Sequence, residues 1–236
     1  MVTSLEAGET LDKILLARNG TGDILLRIKQ LAKDNNVPIQ MVPQEKLNSI
    51  TNTNHQGVIA FRSAVQYFEL QDIIDQLNSE GITPLILLLD GVTDVRNIGA
   101  IARSAVCCGV HALVLPQKGV AALNEDAIKT SAGALSLLHI CRVPDIASGI
   151  NILKLNGISI FGSEMKAETY LHQLNFNEPA AIIMGSEDAG MTPDARQSCD
   201  QLFAIPMTGD FESLNVSVAA GMILYEAQRQ RITNTG

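Results

Sequence analysis

At 236 residues, 46% of them hydrophobic, the chain can form one large domain or a small one joined to a medium one, and it buries too much apolar surface for wholesale disorder. The net charge of −8 excludes a uniformly basic protein that coats nucleic acid through charge alone. Charge is unevenly spread: residues 1–64 hold seven Lys/Arg against six Asp/Glu and residues 65–236 hold ten against nineteen, so phosphate contacts belong more naturally to the first segment. No apolar run approaches a membrane span and no basic-then-apolar leader opens the sequence, which predicts a soluble, cytoplasmic protein. Cys107, Cys108, Cys141 and Cys199 lack Cys-x-x-Cys spacing and read as buried thiols, with no metal expected.

In chain order, Leu11 to Leu16 is a strand-like apolar run and Ile24 to Ala32 repeats apolar residues at helical spacing. Pro38 to Val42 and Gly57 to Phe61 read as further strands. Phe68, Leu70, Ile73, Ile74 and Leu77 form an amphipathic stripe that ends at Gly81, predicting a helical linker over residues 67–83. Beyond it come five short apolar runs: Leu85–Leu89, Ala112–Leu115, Ile158–Phe161, Ala180–Met184 and Leu202–Ile205. Runs of this kind, with helical patterns between most of them, predict a largely parallel sheet buried on both faces.

Ligands of open α/β sheets gather where strands end and helices begin. Three such places are rich in Gly, Asn, Ser and charge. The first follows Leu85–Leu89 and runs from Asp90-Gly91 through Asn97-Ile98-Gly99 to Arg103. Its helix directs Ile98, Ile101, Ala102, Ala105 and Val106 to the core, and Arg103 points well away from that stripe. Taken alone, Asn97 is equally a helix N-cap and Arg103 a solvated charge. The second is Gly185-Ser186-Glu187-Asp188-Ala189-Gly190-Met191. Its two adjacent carboxylates and its lack of Lys or a Gly-x-Gly-x-x-Gly pattern suit an uncharged or cationic ligand such as a sulfonium, not a phosphate. By itself it is equally a strand-to-helix loop with acids before a helix. The third runs Ile205-Pro206-Met207-Thr208-Gly209 and Phe211-Glu212-Ser213-Leu214-Asn215, where Asn215 is otherwise a cap for the helix that follows.

In this order and spacing the three segments resemble the conserved motifs of the SpoU (TrmH-type) RNA ribose methyltransferases, over residues 84–231 almost without interruption. Residues 1–64 are similar to the small ribosomal-protein-like RNA-binding domain of RlmB-type members, notably at Asn54-His55-Gln56-Gly57-Val58. The resemblance implies an RNA substrate-binding domain over residues 1–66, shortened at its N-terminus, and a catalytic domain over residues 84–236. The catalytic domain would be a SPOUT-type α/β fold, a parallel sheet with a C-terminal trefoil knot, assembled as a homodimer through the helix Val216–Ala227. S-adenosyl-L-methionine would lie on backbone groups at Gly185, Ile205 and Leu214 beside Met207 and Ser213, and the catalytic set would be Asn97, Arg103, Glu187, Ser213 and Asn215. Family proposals make the arginine a general base. A guanidinium stays protonated in proteins, so bridging the substrate phosphate and the developing alkoxide asks less of it.

The expected reaction moves a methyl group to a guanosine 2′-oxygen of 23S ribosomal RNA. The alternatives are the same reaction on tRNA and a catalytically silent RNA-binding or ribosome assembly factor. Intact Asn97, Arg103, Glu187 and Asn215 argue against the silent factor. A dinucleotide-dependent enzyme is excluded by the missing glycine fingerprint.

Overall fold

A computed structural model describes residues 1–20, 22–120, 123, 125–208 and 213–233. The chain divides into two compact units, residues 1–65 with 122–124, and residues 66–121 with 125–236.

The first unit contains α1 (Val2–Glu6), β1 (Leu11–Ala17), α2 (Asp23–Asp34), β2 (Ile39–Val42), α3 (Gln44–Ile50) and β3 (Val58–Arg62). Its sheet has the order β2-β1-β3, with β1 parallel to β2 and antiparallel to β3. The central β1 is covered on both faces, which is why its second half, Ile14 to Ala17, is continuously apolar after Asp12 and Lys13. Ile14 and Leu16 pack with Leu5, Ile28 and Ala32 of α1 and α2, while Leu15 and Ala17 pack with Leu47 of α3.

The second unit continues with β4 (Tyr67–Phe68), α4 (Leu70–Ser79), β5 (Leu85–Asp90), α5 (Val95–Cys107), β6 (Ala112–Pro116), α6 (Glu125–Thr130), β7 (His139–Val143) and α7 (Ile146–Leu155). Then come β8 (Ser159–Ser163), β9 (Thr169–Tyr170), β10 (Ala180–Gly185), α8 (Pro193–Gln197), β11 (Gln201–Ala204) and α9 (Val216–Thr233). The eight strands pair in the order β4-β7-β6-β5-β10-β8-β11-β9, every pair parallel. Helices α4, α7 and α8 share one core with Ile86, Leu88, Val114 and Ile183. On the other side α5 packs against α6 and α9. Arg231, near the end of α9, donates to the carbonyls of Thr83, Pro84, Phe176 and Glu178, tying the helix to the segments that lead into β5 and β10.

Two expectations need correction. Residues 67–83 are no free-standing linker, because Tyr67–Phe68 pair with β7 and Leu70, Ile73, Ile74 and Leu77 are buried in the second unit's core. A helix with four buried side chains on one face is a structural layer, whatever lies on either side of it. The cysteines are not uniformly buried: Cys107 is exposed, Cys108 and Cys199 are half-buried, and Cys141 is fully enclosed. Cys107 falls four residues after the exposed Arg103, on the solvent side of α5. Burial pushes the Cys141 thiol up to about 12.

Candidate active site

Strand order reverses between β5 and β10: the chain moves from β5 outward to β6 and β7, and the later strands fill the other side. Ligands bind at the carboxyl ends of strands at such a switch point. Here those ends are Asp90 and Gly185, which are paired in register.

Gly91 turns the chain out of β5 with φ +77°, a conformation that suits glycine. Asp90 is buried, and its Oδ2 accepts the Thr192 N–H at 2.6 Å, fastening the turn after β10 to the end of β5. That turn closes on itself, with Ser186 and Gly190 exchanging two backbone hydrogen bonds of 3.0 Å. A Cβ on Gly185 would fall 2.1 Å from the Gly190 carbonyl carbon, so only glycine lets the turn fold back this tightly. Glu187 and Asp188 stand exposed at its tip.

Helix α5 is capped by Asp94, which accepts the Arg96 N–H at 2.7 Å; Asn97 is not the N-cap. The Arg96 guanidinium also holds the Asp94 carboxyl below its ordinary range. One turn in, Asn97 is free to reach outward, and its Nδ2 donates to Glu187 Oε1 at 3.3 Å. Asn215 does cap α9, its Oδ1 accepting the Ser217 N–H at 3.0 Å. Its Nδ2 also donates to Asn97 Oδ1 at 3.1 Å and to Glu187 Oε1. Glu187 Oε1 takes the Val216 N–H at 3.1 Å as well. One carboxylate oxygen thus joins α5, the turn after β10 and the start of α9.

Beside this junction lies a cavity of about 450 Å³, whose walls include Gly185, Glu187, Ile205, Met207, Ser213 and Leu214. Every residue expected to hold a cofactor borders it. Met184, Val216 and Ala219 add apolar wall, and Glu164, at the end of β8, accepts two hydrogen bonds from Arg196 across another part of the rim. A concave, largely apolar space with a few carboxylates fits S-adenosylmethionine in size and chemistry: apolar walls for an adenine and negative charge for a cationic sulfonium. Arg103 stands apart. It is exposed on α5, about 9 Å along the axis from Asn97 at 1.5 Å per residue. Its side chain makes no hydrogen bond or ion pair among the described residues. Gly209, Phe211 and Glu212 of the third segment lie outside the described residues.

The parts that fasten the site went unread in the sequence. The Asp90–Thr192 bond, the Asp94 cap and the Glu164–Arg196 pair each rest on contacts that spacing does not disclose. Two signals were available: Asp90-Gly91 marks a turn with positive φ, and Thr192-Pro193 marks a capped helix start.

Residues 84–225 match the SpoU rRNA methylase family, and residues 3–68 match the substrate-binding family of RNA 2′-O ribose methyltransferases. The chain belongs to the SpoU family. As a SpoU methyltransferase it is an S-adenosylmethionine-dependent RNA 2′-O-methyltransferase. It is 38% identical to the 23S rRNA (guanosine-2′-O-)-methyltransferase RlmB of Neisseria meningitidis, over 92% of this chain and 87% of that one. It is 37% identical to an uncharacterised tRNA/rRNA methyltransferase of Synechocystis, over 98% of this chain but only 61% of that relative's length. Among solved structures, the SpoU methyltransferase AviRb of Streptomyces viridochromogenes in complex with AdoMet superposes with a TM-score of 0.64 at 26% identity, covering 98% of this chain and 87% of that one.

Proposed function

We propose that this SpoU enzyme methylates the 2′-oxygen of a guanosine ribose in 23S ribosomal RNA, as a homodimer whose C-terminal segment forms a trefoil knot. The observation that carries the proposal is the Asn97–Glu187–Asn215 junction on the rim of a cavity sized for S-adenosylmethionine. The rRNA target is supported by RlmB-named relatives similar over both units and by the match of residues 3–68 to a substrate-binding family.

The cofactor supplies an electrophilic methyl group on a sulfonium. The chain's own residues hold the acceptor in line and deal with the hydroxyl proton. Asn97, Asn215 and the Val216 N–H hold one oxygen of Glu187, which fixes the carboxylate at the cavity rim. Ser213 offers a hydroxyl on the same rim, and backbone groups at Gly185, Ile205 and Leu214, with Met207, would hold the adenosine. Arg103 carries a permanent charge to the RNA phosphate and the developing alkoxide. Dimerisation is supported by α9, which exposes Val218 (52%), Met222 (45%) and Tyr225 (66%) along one face. The knot is supported by the chain's return after β11 to start α9 beside Glu187, at the end of the interior strand β10. No helix among the described residues is long and apolar enough to cross a membrane, and a cytoplasmic location follows from a ribosomal substrate.

Mapping ribose methylation in RNA from a strain lacking the protein tests the target. A single 23S guanosine should lose its 2′-O-methyl group and regain it on complementation. Loss confined to tRNA, or no loss, would overturn the target. Light scattering should give twice the chain mass at micromolar concentration, and a stable monomer there would overturn the dimer.

A further inference from the structure

The first unit has a concavity of its own, at the carboxyl ends of the parallel pair β1 and β2, where α/β layers collect ligands. Its volume is about 490 Å³, and its walls include Asn19, Gln44, Asn48, Asn54, His55 and Gln56.

The wall is shaped in advance. Gln56 and Gly57 have φ of +49° and +79°, two consecutive left-handed residues that turn the chain sharply before β3. His55 Nδ1 accepts the Gly57 N–H at 3.0 Å. The ring proton therefore sits on Nε2, which donates to Asn48 Oδ1 at 2.9 Å. Asn48 is thus pinned by its oxygen while its amide N–H groups make no bond among the described residues. The side-chain amides of Asn19, Gln44 and Gln56 are likewise unbonded there.

Among the described residues the lining contains no Lys, Arg, Asp or Glu. A phosphate site asks for cations, which this wall lacks. Side-chain amides offer donors and acceptors side by side, the pattern that matches the edge of a nucleobase. Sequence-reading proteins take RNA bases in this way from single-stranded loops and bulges, where the edges are open. Arg18, between the lining residues Ala17 and Asn19, is exposed and forms no ion pair among the described residues, so a cation is at hand for the phosphate attached to such a base. We infer that this pocket takes an unpaired nucleobase of the RNA substrate other than the methylated nucleotide, held by hydrogen bonds from Asn19, Gln44 and Asn48. The inference rests on RNA as the substrate, not on which RNA.

The test uses the full chain and the RNA transcript that the wild type methylates. Asn48→Asp keeps the oxygen that His55 bonds and replaces the free amide N–H groups with a carboxylate. Asn19→Ala with Gln44→Ala removes two exposed amides that have no partner in the fold. Asn48→Asp should raise the Kd and KM for RNA about tenfold or more, with kcat at saturating RNA and cofactor affinity unchanged. The double alanine variant should raise them about fivefold, on the scale of lost neutral hydrogen bonds. Abasic substitutions are then scanned across the unpaired nucleotides. One position outside the methylated nucleotide should weaken wild-type binding and leave Asn48→Asp no weaker, the coupling expected of partners. Pocket variants that bind the transcript like the wild type, or a scan without any such coupled position, would overturn the pocket while wild-type methylation stands. A wild type that methylates neither rRNA nor tRNA would instead overturn the functional proposal and this inference with it.

Discussion

The two cavities are of similar volume and both open at the carboxyl ends of parallel strands, yet they are built from different material. The cavity of the second unit is bounded by tight turns and apolar side chains such as Ile205 and Leu214, with the carboxylates of Glu164, Glu187 and Asp188 on its wall, and the proposed cofactor contacts there are mainly backbone ones. The pocket of the first unit is lined by side-chain amides. A site read by backbone is sensitive to shape and indifferent to many side-chain changes. A site read by amides tolerates changes of shape less critically than the loss of a single donor. The junction at Glu187 differs from both: it borders the second unit's cavity, but one of its oxygens is taken up by Asn97, Asn215 and the Val216 N–H.

If chemistry and enclosure are separate, Arg103→Ala should show it most plainly. Turnover should fall about a thousandfold or more, the scale for losing a charge at a developing oxyanion, while calorimetric affinity for S-adenosylmethionine stays within about twofold. Arg103→Lys should remain badly impaired because it lacks the planar fork. Wild-type single-turnover rates in the alanine variant would reduce Arg103 to a solvated charge. Next in size, Gly185→Ala sharpens the case for a backbone-shaped cavity. The added methyl group meets the Gly190 backbone at 2.1 Å, so the turn must shift. Cofactor affinity should drop about thirtyfold or more, on the scale of a misplaced buried contact, and unchanged calorimetry would count against a backbone-built site. Glu187→Gln keeps an acceptor oxygen for Asn97, Asn215 and the Val216 N–H but removes the charge. Roughly tenfold slower turnover at normal thermal stability is expected, and a large stability loss would make Glu187 structural.

The smallest effect lies outside both cavities. Hydrogen bonding to Arg229 holds the Glu226 carboxyl at about 2, below its ordinary 4.5. The depressed value means its contribution to stability is complete above about 4.5 and is lost as pH falls towards 2. Glu226→Gln should flatten the acid limb of a denaturation profile in that window and leave neutral-pH stability lower by a modest amount, since Arg229 is half exposed. An unaltered acid limb would dismiss the pair.

The buried strands were legible in the sequence because continuous apolar runs leave little choice: Leu85–Leu89 became Leu85–Asp90, and Ala180–Met184 became Ala180–Gly185. β7 was not, since His139 and Arg142 interrupt its apolar pattern. Arg142 stacks on the Tyr67 ring at 3.5 Å, a contact that a local pattern does not announce. β4 and β9 are two residues long and carry no period at all. α3 buries only Leu47. Within the site, the positions of Asn97, Glu187 and Asn215 were readable by resemblance, but their meeting on one oxygen was not, because it joins residues 90 and 28 apart in the chain. Asn97 looked like a cap because polar residues before an apolar helix usually are; Asp94, three residues earlier, already held that place.

That single oxygen also ties the site to the end of the chain. Glu187 Oε1 is filled by donors from α5 and from the first residues of α9, the last helix of the chain. A nascent or C-terminally clipped chain possesses Glu187 long before it possesses Asn215 or the Val216 N–H. A chain that ends before α9 keeps the Asn97 donor but lacks Asn215 and the Val216 N–H, so two of the three hydrogen bonds on that oxygen exist only once the final helix has docked.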